Sequence, residues 1–273
     1  MDNVMPMFHM GGCGFSTLGT LHLRGTHVIV IGFDPSLFLE LVETEKGKFA
    51  LLVPTMLDAI LNFPERKKYN ISTLKNILSG ASKVEVSLVR RVKKELDCSI
   101  SIVFGQTEMH GGITQTYLDD TIEDQAKTIG QPYPQIEVKI ADPVTGQVLP
   151  LGVEGEICCR GYQTMIGYYN MPEETAAVFK SDGWLHSGDL GSMDERGFLK
   201  ITGRLKDIII RGGENIYPAE IENLLKKHPK IANAVVVGVP DEYWGEQVGE
   251  IIIPKSPENR PTHEDYTTIA ARI

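Results

Sequence analysis

Phe104-Gly105-Gln106-Thr107-Glu108 sets an aromatic ring, a glycine, an amide, a hydroxyl and a carboxylate in a row, directly after the apolar run that begins at Ser99. At the carboxyl end of a parallel strand, a glycine lets a ligand approach the backbone and the polar residues that follow face the cleft. Ser79-Gly80-Ala81-Ser82 also ends a strand-like run, and its small side chains leave room for a flat ligand. Taken alone it is a common Ser-Gly turn. Further along, the forty residues from Gly183 to Glu222 pack together Ser187-Gly188-Asp189-Leu190, Gly203-Arg204-Leu205-Lys206-Asp207 and Arg211-Gly212-Gly213-Glu214-Asn215. A carboxylate such as that of Asp189 can accept from two hydroxyl groups at once. Paired glycines suit close approach of a slender chain, or a plain turn between strand and helix. Arg204 and Lys206 read singly as surface charges, and His9, alone on an apolar segment, as a core histidine.

These residues need elements to hold them. Thr26–Ile31 is short and β-branched and reads as a buried strand, and Phe49–Val53, Leu74–Leu78 and Ser99–Phe104 read as three further strands. Between them lie helices: one capped by Asp34-Pro35 and running to about Lys46, one opened by Pro54-Thr55, and one from Glu85 to Leu96 with apolar residues at Val89, Val92 and Leu96. Four such alternations predict a parallel sheet covered by helices. Near Thr128 the pattern changes. Ile136, Val138 and Ile140 alternate with polar residues, Asp142-Pro143 opens a turn, and Glu154–Cys159 resumes a strand, predicting a short antiparallel, barrel-like region. Beyond Arg204, a helix over Pro218–Lys227 and a strand over Ala234–Val239 suggest a small α+β unit. Thr262 and Asp265 have the spacing of a capping box that opens a further amphipathic helix containing Ile269. Trp184 and Trp244 read as packing residues, and Glu220 and Glu222 as a solvated helix face.

Composition bounds the function. With 42% hydrophobic and 23% charged residues the chain has the make-up of a globular protein, and a formal charge of −9 argues against nucleic acid as a partner. No apolar run reaches about 18 residues, so no membrane span is expected. The four cysteines lack C-x-x-C spacing, and adjacent Cys158 and Cys159 on a strand would face opposite ways, as suits reduced thiols. A reducing intracellular setting, cytoplasmic or mitochondrial, follows.

Together and in this order, the motif-bearing stretches resemble the signature of the AMP-forming, adenylate-forming ligases. That superfamily includes acyl-CoA synthetases, aryl-CoA ligases, luciferases and peptide-synthetase adenylation domains. The likeness runs from Pro6 to about Pro254. It is strongest to acyl-CoA synthetases of the medium-chain fatty acid type, through the run Arg204–Glu220 and the start Pro6-Met7-Phe8-His9. The resemblance implies a fold class of α/β type: a partial large domain with a parallel sheet and helices plus the antiparallel subdomain, then a truncated small α+β domain. Residues 1–203 would form the large domain (1–127 and 128–203), 204–206 the hinge, and 207–273 the incomplete small domain.

It also implies roles. Gly80, Ala81, Gly105 and Gln106 would border the nucleotide, Phe104 would stack on adenine, and Thr107 would bond the α-phosphate. Glu108 would hold Mg²⁺, because a hard cation takes carboxylate and phosphate oxygens. Asp189 would bind the ribose hydroxyls, Arg204 the ribose and phosphate, and Lys206 would mark the hinge. Arg211, Gly212, Gly213 and Glu214 would line the tunnel for CoA, and His9 would gate the acyl carboxylate, joining Thr107 and Glu108 as the catalytic set. The substrates implied are a carboxylic acid, ATP and CoA. An aryl-CoA ligase, a nucleotide-binding chain without catalysis, and a bioluminescent enzyme are the alternatives. The family's Pro-Lys-Gly phosphate loop is expected before Pro6 and its catalytic Gly-Lys after Ile273, so the chain reads as a fragment with little activity by itself.

Overall fold

The computed structural model describes residues 1–82, 84–180, 183–256, 258–262 and 265. Five strands pair in parallel: β1 (Asp2–Asn3), β2 (Val28–Ile29), β3 (Phe49–Leu51), β4 (Asn76–Gly80) and β5 (Ser99–Phe104). Two short strands, β6 (Thr114–Gln115) and β7 (Gln131–Pro132), continue the sheet antiparallel, giving the order β2-β1-β3-β4-β5-β6-β7. The pairing therefore changes sense at β5, the strand that ends in Phe104. β4 and β5 are buried on both faces, with Ile77, Leu78, Ser79, Ile100, Ser101 and Ile102 all inaccessible or nearly so.

The first helices are α1 (Gly19–His22), α2 (Pro35–Glu45), α3 (Pro54–Asn62), α4 (Val86–Arg91) and α5 (Ile122–Lys127). α2 starts as the sequence predicts: Asp34 accepts from the Ser36 and Leu37 amides at 2.9 and 3.0 Å, with Pro35 in the first turn. Phe38, Leu39 and Val42 of α2 pack with Leu57 and Ile60 of α3 and with Val89 of α4. Several boundaries differ from expectation, among them the strand expected over Phe49–Val53, which ends at Leu51. Leu74 lies in a turn, its amide bonded to the Ile71 carbonyl, so that strand begins at Asn76. Of the Thr26–Ile31 run only Val28–Ile29 pairs, against the equally short β1. The helix expected to Leu96 widens after Arg91 into a π-type turn over Val92–Leu96.

A second sheet holds β8 (Ile136–Ala141), β9 (Gly155–Gly161), β10 (Leu185–Met193) and β11 (Leu199–Arg204) in the order β11-β10-β9-β8, with α6 (Pro172–Val178) between β9 and β10 in sequence. The turn after β8 is closed by Asp142, whose Oδ1 accepts from the Val144 and Thr145 amides at 3.0 and 2.7 Å. Cys159 packs with Ile157 and Leu185, while Cys158, on the other face of β9, is equally buried and lies 3.4 Å from His186 Nδ1. Two cations lie over Trp184, with Lys139 Nζ at 4.7 Å and the Arg160 guanidinium at 4.6 Å from its ring.

A third sheet has the order β13-β12-β15-β14, built from β12 (Ile209–Arg211), β13 (Glu214–Ile216), β14 (Ile231–Asp241) and β15 (Gly245–Pro254), with α7 (Pro218–Leu225). Ile209, Leu225, Ile231, Ala234 and Val236 form its core. Glu222 departs from the solvated face expected for it: its carboxylate accepts the Val236 amide at 3.0 Å, satisfying a donor of β14. Thr262 and Asp265 make the predicted reciprocal box, with Thr262 N donating to Asp265 Oδ2 at 2.7 Å and Asp265 N to Thr262 Oγ1 at 3.4 Å. Ile269 lies outside the described residues. The chain separates into two compact units. One comprises Met1–Val153, Ile157–Ser187 and Ser192–Lys200; the other comprises Glu154–Glu156, Gly188–Gly191 and Ile201–Ile273. Among the described residues no helix is long and apolar enough to cross a membrane.

Gly130 joins two segments of the first unit: its carbonyl accepts the Leu199 amide at 2.9 Å, and its φ is +77°. A Cβ there would lie 2.0 Å from the Gln115 carbonyl group. Gly130→Ala is expected to destabilise the protein by about 3 kcal/mol or more in urea unfolding, against little change for Gly32→Ala, whose Cβ meets nothing. The cysteines give a second check. All are free thiols, Cys13 alone is exposed, and burial pushes the Cys98 thiol up to about 11. Iodoacetamide should add one carbamidomethyl group to the native protein and four in urea without reductant.

Candidate active site

The loop after β5 is built from its own backbone. Met109 and Gly111 amides donate to the Gln106 carbonyl at 3.1 and 2.8 Å, His110 to Thr107 at 3.0 Å, and Ile113 returns to the Phe104 carbonyl at 2.8 Å. Thr107–Met109 form a 3-10 turn, with His110 and Gly111 at positive φ. A Cβ on Gly105 would lie 2.0 Å from the Gly111 carbonyl oxygen, so the fold itself demands that glycine, independently of any ligand. Gly80 is similar: its Cβ would meet the Val103 carbonyl of the neighbouring strand at 2.3 Å. Ala81 follows it at φ +66°, outside the range alanine prefers.

Within this loop Thr107 is exposed, Glu108 half-buried, and Phe104 buried among Met109, Ile113 and Ile157 with 9% of its surface accessible. Gln106 is anchored by its Nε2 to the Ser187 carbonyl at 2.7 Å. Glu108 Oε1 accepts the Tyr168 hydroxyl at 2.7 Å. That bond pushes the Tyr168 phenol up to about 12, with burial and the negative charge of Glu108 adding to it. Tyr133 is also pushed up to about 12, there by burial. His9, expected in an apolar core or at an acyl gate, is exposed. Its Nδ1 accepts the Gly11 amide at 3.0 Å at the start of the Gly11–Leu18 turn, which places the neutral ring's proton on Nε2.

The other unit holds the remaining predicted residues. Asp189, 3% exposed, follows Gly188 (φ +72°) on β10, and its Oδ1 pairs with Arg204 Nε at 2.9 Å. Arg204 ends β11 with its side chain about half exposed, and Lys206 lies exposed in the following 3-10 turn, Leu205–Asp207. Gly212 and Gly213, at φ +59° and +91°, form a two-residue turn with Arg211 opposite Glu214. That turn joins two strands, not the strand and helix expected, because Glu214–Ile216 pairs back on β12 before α7 begins. Trp244 braces it: its carbonyl accepts the Gly212 amide at 2.8 Å, and its ring lies 4.5 Å from the Arg211 guanidinium.

Glu108 fits a divalent cation shared with a substrate. Its Oε1 accepts the Tyr168 hydroxyl while the residue stays half-buried, and a hard ion bound with phosphate needs only one or two protein carboxylates. Sequence reasoning overlooked Tyr168, which lies 60 positions from Glu108, beyond the reach of any motif spacing.

A Gly-Gln-Thr-Glu loop at the end of the last parallel strand, an aspartate–arginine pair and a glycine hairpin, in this order on these three sheets, define the adenylate-forming class of enzymes. The chain belongs to the AMP-binding enzyme family: residues 2–169 match the AMP-binding enzyme domain and residues 220–272 the AMP-binding enzyme C-terminal domain. It is 42% identical over 244 residues to the putative acyl-CoA synthetase YngI of Bacillus subtilis, covering 89% of this chain and 44% of that protein. It is 35% identical over 263 residues to the mitochondrial medium-chain acyl-CoA ligase ACSF2 of Bos taurus, covering 95% and 42%. Among solved structures, the ATP-bound RpMatB-BxBclM chimera B3 superposes with a TM-score of 0.90 at 28% identity, over 100% of this chain and 53% of that one. AMP-bound O-succinylbenzoate coenzyme A synthetase (MenE) from Bacillus subtilis superposes with a TM-score of 0.84, also at 28% identity, over 99% and 53%. The chain thus spans less than half the length of these curated relatives.

The raised Tyr168 pKa sets a pH window. A free tyrosine ionises near 10, so the stability contributed by the Tyr168–Glu108 bond is complete below that pH and is lost as pH rises through about 12. In Glu108→Gln, the phenolate absorbance assigned to Tyr168 by difference from Tyr168→Phe should appear at lower pH than in the wild type.

Proposed function

We propose that the protein activates a carboxylic acid, by preference a medium-chain fatty acid, with ATP and transfers the acyl group to CoA. The observation that carries this reading is the loop at the end of β5, where Thr107 and Glu108 project from a rigid backbone. The names of the relatives, acyl-CoA synthetase and medium-chain acyl-CoA ligase, favour the fatty acid over an aryl acid.

In the first step a carboxylate oxygen of the acid bonds to the α-phosphorus of ATP, and the bond from that phosphorus to the bridging oxygen breaks, giving acyl-AMP and pyrophosphate. In the second, the CoA thiolate attacks the acyl carbonyl and AMP departs. Both reactants in the first step are anions, so positioning and charge neutralisation dominate the catalysis. Thr107 would donate to the α-phosphate, and His9 would border the acyl carboxylate. Glu108 would hold Mg²⁺, which supplies positive charge against the departing pyrophosphate. Phe104, Gly80, Ala81, Gly105 and Gln106 would bound the adenine and phosphates, with the accessible rim of Phe104 under the base. Asp189 would take the ribose hydroxyls, and Arg204, paired with it, would take the ribose and phosphate. Residues 204–206 would act as the hinge between a large domain (1–203) and a small one (207–273). Arg211, Gly212, Gly213 and Glu214 would receive the pantetheine chain of CoA.

Acid-dependent ATP–pyrophosphate exchange tests this. Octanoate should give the highest rate among butyrate, octanoate, palmitate and benzoate; a best response to benzoate would move the protein to the aryl-CoA ligases. AMP binding without exchange for any acid would leave a nucleotide-binding chain. In equilibrium dialysis, Asp189→Ala should weaken AMP binding roughly tenfold or more, the scale of a lost hydrogen bond to a charged group.

A further inference from the structure

The loop that bears Glu108 is held by a segment of chain distant in sequence. Gly161–Tyr168, which leaves the end of β9, runs along Glu108–Gly112 and makes five bonds to it. Met165 N donates to the Glu108 carbonyl at 2.8 Å, and the Tyr168 hydroxyl to Glu108 Oε1 at 2.7 Å. His110 Nδ1 lies 2.6 Å from the Gln163 carbonyl, Thr164 Oγ1 lies 3.2 Å from the Met109 sulfur, and Gln163 Nε2 donates to the Gly112 carbonyl. Tyr168 is itself fixed from behind. Its amide donates to Thr175 Oγ1 at 2.9 Å, and that hydroxyl donates to the Met171 carbonyl at 2.7 Å. A relay of bonds therefore leads from α6 to the carboxylate.

We infer that Tyr168 is a positioning residue that sets how Glu108 meets a divalent cation. The inference rests on the reading of Glu108 as the cation ligand. A glutamate side chain loses rotamer freedom when it takes a ligand, and a carboxylate already held in place loses less. The bond also makes the two oxygens unequal. Oε1 is engaged by the phenol, so Glu108 would bind a cation through Oε2 alone unless the tyrosine lets go. One-oxygen coordination suits Mg²⁺, which is small and keeps a strict octahedral shell. Ca²⁺ is larger and often takes both oxygens of a carboxylate. Tyr168 thus favours Mg²⁺ over Ca²⁺.

Equilibrium dialysis of ATP against this chain in EDTA, Mg²⁺ and Ca²⁺ separates the possibilities, with wild type, Tyr168→Phe and Glu108→Gln compared. Tyr168→Phe should leave affinity in EDTA within about twofold. It should reduce the gain from Mg²⁺ by about tenfold, the lower end for a lost outer-shell partner, and reduce the gain from Ca²⁺ less. Glu108→Gln should lose the gain from both ions. A Mg²⁺ gain lost in Glu108→Gln yet intact in Tyr168→Phe, or equal losses for the two ions in Tyr168→Phe, would overturn the inference while leaving Glu108 as ligand. A wild-type chain without a Mg²⁺ gain, or Glu108→Gln with a full one, would overturn the assignment of Glu108 and the inference with it. Thr175→Val, which removes the bond orienting Tyr168, should shift the same way by a smaller factor and serves if Tyr168→Phe folds poorly.

Discussion

A strand buried on both faces that ends in an irregular loop poses one constraint above others: the loop's backbone groups must find partners without a ladder to supply them. β5 meets it by folding Gly105–Gly112 into a knot of local bonds centred on the Gln106 carbonyl, which accepts two amides. The geometry is so close that Gly105 admits no side chain against Gly111. Rigidity at this point is what lets a hydroxyl and a carboxylate stand at fixed positions.

Much of this was legible in the sequence, and the reason is local. Asp34-Pro35 carries its own cap, Asp142 its own turn and Thr262–Asp265 its own box, because each bond spans three residues or fewer. The isoleucines, valine and phenylalanine of Ser99–Phe104 announce a strand. The order of the motifs was enough to name the family. What escaped were properties set by a partner far along the chain. Glu222 looks like a solvated acid until β14 offers it the Val236 amide, and the Gly212-Gly213 turn looks like a helix approach until Glu214–Ile216 pairs back on β12. Tyr168 gives no signal at all, since nothing in a Tyr-Tyr pair indicates a carboxylate sixty residues earlier.

Glycines illustrate how two explanations can share one residue. Gly80 and Gly105 lie where a nucleotide is proposed to bind, and a small side chain would serve that purpose. Each is nevertheless required by a neighbouring carbonyl, of Val103 in one case and Gly111 in the other. Loss of either glycine would therefore confound folding with binding.

The two tryptophans have a practical consequence. Trp184 falls in one compact unit and Trp244 in the other, and they are the only two in the chain. Each indole is bordered by cationic side chains, Lys139 and Arg160 for the first and Arg211 for the second. Replacing one with phenylalanine leaves a single emitter confined to one unit. The chain therefore carries an intrinsic optical reporter for each half, with no need for an attached dye.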